Sequence, residues 1–226
     1  MIGGLLLGGR VSDATAALEA EMKRQRDQEN PRLAVQRSVT LLRLYVRLEK
    51  EPPADLVSFI EAARKTDPAA PAYKQRVDAN LAITKGTSKK DAEAAIDALL
   101  ASRSASDPFQ AMATLRKVKG DKRAWDLLIP RSRTSTRALY TSALDVALLL
   151  EALGAPLSEL EPRYRVAMTP AAFDFTGLDK GIARLRLARL YDKAGKAGEA
   201  AALRAEVDKL WAHADPGLRD LALKLK

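Results

Sequence analysis

The stretch Ile182–Trp211, IARLRLARLYDKAGKAGEAAALRAEVDKLW, decides the fold. Its apolar residues recur at steps of three and four. They run first through Ile182, Leu185 and Leu190, with Leu187, Ala188 and Tyr191 beside them, and restart as Ala200, Leu203, Val207, Leu210 and Trp211. That period is the signature of one helical face. Between the runs, Lys193–Ala197 reads as a tight turn. Lys193 suits a last helical turn, where the dipole favours a cation, and Gly195 can take the left-handed conformation that ends a helix. Small residues (Ala188, Ala194, Ala200) lie towards the turn, so two antiparallel helices can approach closely.

Five residues of this hairpin, Leu187, Ala188, Tyr191, Gly195 and Ala200, fall on the offsets of a tetratricopeptide repeat, which the stretch resembles. The match spans one repeat of roughly 34 residues. It departs from the pattern at Arg204, where an aromatic is usual, at Val207, where alanine is usual, and in a late closing proline at Asp215-Pro216. The tail also looks like the last repeat at the C-termini of many bacterial signalling and regulatory proteins. The resemblance implies an all-α chain of antiparallel hairpins stacked as an α-solenoid. It implies a groove, lined by the first helix of each hairpin, that holds a peptide or partner protein. The matching outward positions are Arg189, Asp192 and Lys193. A degenerate second hairpin, between the Asp-Pro dipeptides at 67 and 107, offers Arg76 and Asn80.

Working outward, the rest of the chain reads as helices joined by short breaks. Ser12 or Asp13 caps a first helix to about Glu29, with Ala14, Ala17, Leu18 and Met22 on one face. Glu19 and Lys23 are spaced as a supporting pair. Pro31 opens a second helix that is apolar on two faces, through Val35, Val39, Leu42 and Val46 and through Leu41, Leu44, Tyr45 and Leu48. Such a helix packs between neighbours. Residues 55–66 form a third, with Leu56, Phe59, Ile60 and Ala63 inward. Further helices follow across 73–86, 88–106, 109–118, 121–129 and 134–153. Gly154 is placed as a left-handed stop, and 157–168 is the partner of the helix before it. Residues 169–177 carry no period, and Phe173 and Phe175 are expected to pin that connector onto the core. Leu218, Leu221, Leu223 and Leu225 belong to a last short helix. The count is about twelve helices, and the expected domain is a single one over 11–226, with a subdivision near 107–133.

The opening MIGGLLLGGR is too short to span a bilayer and lacks a signal-peptide charge pattern. Its four glycines make it a poor helix, so residues 1–10 are expected to be a flexible arm. No stretch reaches membrane-spanning length, which gives a cytoplasmic expectation.

The 226 residues are 47% hydrophobic and 30% charged, a globular balance. There is no cysteine, so disulfides, thiol nucleophiles and thiolate metal sites are excluded. The single histidine, His213, rules out a two-histidine metal site and reads as a solvated or capping residue. No phosphate-binding glycine loop occurs. No cofactor and no metal are expected, and an enzyme is not. The net charge is +9, and the window 116–137 carries +6 of it through Arg116, Lys117, Lys119, Lys122, Arg123, Arg131, Arg133 and Arg137 against Asp121 and Asp126. Such a window suits phosphates or an acidic protein surface. Trp125 and Tyr140 sit at core spacing beside it rather than as stacking platforms. The sequence therefore points to a non-enzymatic protein–protein interaction module, a scaffold or adaptor or an assembly subunit, binding another protein or an acidic peptide segment. The alternative is nucleic-acid binding through the basic window.

Overall fold

The computed structural model describes residues 2–27, 31–48, 50–66, 154–169 and 176–225, with six positions between 143 and 151. Every regular element among the described residues is an α-helix, and no strand occurs among them. We number the helices α1 (Ile2–Leu7), α2 (Val11–Asp27), α3 (Pro31–Arg47), α4 (Ala54–Thr66), α5 (Leu157–Met168), α6 (Thr176–Lys193), α7 (Ala197–Leu210) and α8 (Leu218–Lys224). The chain forms two compact units, one of Met1–Ala14 with Ser132–Lys226, the other of Thr15–Arg131.

The first unit is built around α6. Leu178, Ile182, Ala183, Leu185, Leu187, Ala188 and Tyr191 are all buried, which leaves this helix little solvent face. A helix apolar around most of its circumference needs neighbours on every side. α1, α5, α7 and α8 all pack against it. The α6–α7 contact matches the expected hairpin: Ala188 and Ala200 are fully buried, and Val207 and Trp211 complete the inner stripe of α7. Burying a leucine such as Leu187 contributes about 1.5–3 kcal/mol.

One turn recurs three times in this unit. At Gly9, Gly154 and Gly195 the backbone is left-handed, with φ of 69°, 76° and 74°. In each, the following amide closes a wide bond to the carbonyl five residues back: Arg10 to Leu5 (2.9 Å), Ala155 to Leu150 (3.0 Å) and Lys196 to Tyr191 (2.8 Å). The glycine amide itself donates to the carbonyl three residues back. This is the Schellman stop, which satisfies the last helical carbonyls and turns the chain. Gly195 and Gly154 adopt the conformation their sequence positions suggest.

The N-terminus differs from its expectation. Ile2–Leu7 is helical, with Leu6 buried. Its backbone lies so close to α6 that a Cβ on Gly177 would meet Leu7 N at 2.9 Å and Gly3 O at 3.0 Å. The glycines that weaken the helix in isolation are outweighed by tertiary contact. α6 also begins six residues before Ile182. Gly177 and Gly181 hide its first turns in the sequence, and the fold uses both for close approach. Trp211 lies directly over Gly181.

In the second unit, α3 packs on α4. Both expected stripes of α3 contribute to the core, through Val35 and Leu42 and through Leu41, Leu44 and Leu48. Ser38 is fully buried, and its hydroxyl donates to the Ala34 carbonyl at 2.9 Å, so its own polar hydrogen is met. The Arg26 guanidinium stands 3.6 Å from the centre of the Phe59 ring. The expected helices across 73–129, and Phe173 and Phe175, lie outside the described residues.

Candidate interaction site

Of the outward positions that the sequence assigns to this hairpin, Asp192 and Lys193 lie at its tip. Residues 192–199 are all exposed, bounded by buried Tyr191 and buried Ala200. The tip is nonetheless a defined shape, because the Schellman bonds lock it. Asp192 is paired with Arg204 across the hairpin. A second cross-pair, Arg184 Nε to Glu206 at 2.6 Å, ties α6 to α7 lower down. Lys196 Nζ lies 5.2 Å from the Tyr191 ring centre, a cation–π distance. Lys193 and Lys196 have no ion pair among the described residues.

Arg189 behaves otherwise. It points inward, where its Nη2 meets Glu151 at 2.5 Å and its Nη1 donates to the Leu223 carbonyl at 2.9 Å. Arg186 lies beside it and is only 5% exposed. Arg186 donates through Nε to Glu151 (3.0 Å) and through Nη1 to the carbonyls of Leu223 (2.7 Å) and Leu225 (2.9 Å). The Tyr164 hydroxyl completes the shell around Glu151. Burial opposes the charge on Glu151, but the Tyr164 hydroxyl and the two guanidinium groups outweigh it and hold its pKa below the usual carboxylate value. Burial, then the Glu151 charge, pushes the Tyr164 phenol well above its usual value. Chemically this cluster is an anchor. Two cations held by one carboxylate donate to the Leu223 and Leu225 carbonyls at the C-terminal end of α8, the negative end of a helix dipole.

The cluster was only half visible in the sequence. Arg186 stands inside an apolar period, a signal of a buried partner, but Glu151 lies 35 residues upstream. The other predicted positions, Arg76, Asn80 and the basic residues of 116–137, lie outside the described residues. His213 is exposed.

The second unit holds a cavity of about 540 Å³ between α2 and α4. Met22, Leu41 and Leu56 line it together with Glu19, Lys23 and Asp55. Glu19 and Lys23 form no ion pair there. The charges at its rim are mixed, and no group of three or more His, Asp or Glu is placed to hold a metal among the described residues. No described helix is long and apolar enough to cross a membrane.

Comparison with protein-family models, with curated proteins and with solved structures gives no match. The geometry and the sequence pattern therefore carry the functional reading.

Proposed function

We propose that the chain is a non-enzymatic helical interaction module of tetratricopeptide-like hairpins, about twelve helices in all, acting as an adaptor or as a subunit of a larger assembly. The observation that carries this reading is the α6–α7 tip: eight consecutive exposed residues on a turn locked by its own backbone, with Lys193 and Lys196 in no ion pair among the described residues. A pre-shaped protrusion loses little entropy on binding. Unpaired ammonium groups select an acidic surface and speed its encounter. Arg189 leaves the partner-facing set because its charge is already held by Glu151.

Charge reversal tests the reading. A Lys193→Glu/Lys196→Glu chain keeps its fold, since neither side chain is buried. Its capture of an acidic partner protein falls about tenfold or more relative to the parent chain. Equal capture by both chains refutes the tip as the site. The second reading, nucleic-acid contact, is favoured by the concentration of +6 within 116–137. It requires binding that weakens steeply with salt, and an absence of binding to duplex and single strands at low salt removes it.

A further inference from the structure

α1 does not have the makings of a helix that stands alone. It has six residues, two of them glycine, and isolated helices shorter than about 12–15 residues are marginal in water. Its structure is borrowed from the surface beneath it. That surface is a trough on the first turns of α6, floored by Gly177 and walled by Trp211, whose ring lies against Gly181 and is only 2% exposed. The fit is backbone on backbone. Even a methyl group at Gly177 would strike Leu7 and Gly3 main-chain atoms. The Trp211 indole N–H donates to the Leu7 carbonyl at 3.1 Å, meeting one of the orphan acceptors at the end of α1. The chain leaving α1 is held as well. Asp215 N donates to Gly9 O at 3.0 Å, and Ser12 donates through N and Oγ to the Asp215 carboxylate at 2.7 and 2.8 Å. A Cβ on Gly9 would collide with Ala214 at 2.7 Å and Leu218 at 2.9 Å, so glycine is needed on the ligand side too.

This is the arrangement of a receptor and a peptide: an apolar anchor (Leu6), a donor that reads the helix end, and glycines at the closest approach. We propose that the Gly177–Gly181–Trp211 trough is a peptide-binding slot, that α1 is its occupant in cis, and that it accepts a short, apolar, glycine-containing helical segment of another chain when α1 is displaced. The inference stands apart from the hairpin tip and survives or fails without it.

The test uses the full chain and a labelled, amidated peptide of residues 1–10 as probe. Leu6→Asp opens the slot, because a carboxylate at this buried position is expelled rather than desolvated. The peptide then binds the Leu6→Asp chain at least about tenfold more tightly than the parent chain, in which α1 fills the slot more than nine-tenths of the time. Adding Gly177→Ala to Leu6→Asp abolishes that binding. A peptide carrying Gly4→Ala binds about fivefold more tightly, because a Cβ there meets nothing within 4 Å and alanine favours the helix. Amide hydrogen exchange gives a second arm. Gly177→Ala alone strips protection from residues 2–7 and leaves α6 and α7 protected. Equal binding to the parent and Leu6→Asp chains, or no binding to the latter, overturns the proposal. So does loss of α6–α7 protection in either variant, which would make α1 part of the core rather than its ligand.

Discussion

Two guanidinium groups and the Tyr164 hydroxyl converge on the Glu151 carboxylate. Removing one partner of such a buried pair leaves an uncompensated charge, so Glu151→Ala is expected to cost about 3–5 kcal/mol in urea unfolding. The pH dependence follows from the sign of the shift. The folded pKa of Glu151 is lowered, so its contribution is present above the unfolded carboxylate value, about 4.3, and is lost as pH falls through the folded value. Acid titration of Glu151→Gln should lack that component, and an unchanged acid profile would remove Glu151 as its source. Gly181 makes the opposite point about propensity. Alanine improves a helix by about 1 kcal/mol in isolation. Here its methyl collides with the Trp211 ring, and overpacking costs about 1–3 kcal/mol. Gly181→Ala therefore lowers the urea midpoint despite its better propensity. None of these residue-level roles was legible from spacing alone. Arg186 stands within an apolar period, but the identity of its partner is a tertiary fact.

At the scale of elements, the sequence was most readable where the local rules agree. The α6–α7 hairpin combines a 3.6-residue period, a basic last turn, a stop glycine and small contact residues, and the structure has the helix ends at Lys193 and Ala197. α5 likewise runs over Leu157–Met168, the expected span. Gly195→Ala is expected to cost about 1 kcal/mol, because its φ of 74° is strained for any residue with a Cβ. Ala200→Leu, at a fully buried contact, is expected to cost about 1–3 kcal/mol by forcing the two helices apart. Both are read from urea midpoints, and no change in either would mean that the hairpin is loosely packed. The first turns of α6 and the whole of α1 were misread for one reason. Glycine lowers intrinsic helix propensity, and the same glycines permit the close packing that creates those helices. Pattern reading registers the cost and not the contact.

Among the described residues, helix class was legible because the apolar period of 3.6 recurs over long stretches, while the short alternating runs, such as Arg184–Leu187, lie inside it. The site was legible only in part. Lys193 and Asp192 lie on the exposed tip as their outward positions imply, whereas Arg189, assigned outward by the same rule, is drawn inward by a carboxylate from a distant helix. The proposed function requires the tip to touch another protein. Gly198 offers the direct probe, since it is exposed and a side chain added there meets no atom within 4 Å. A photo-crosslinking residue at position 198, introduced into the full chain in its source cell, should yield one or a few discrete adducts with an acidic protein. The same residue at Ser158, an exposed position on α5, should not. Identical, diffuse labelling from both positions would contradict the account.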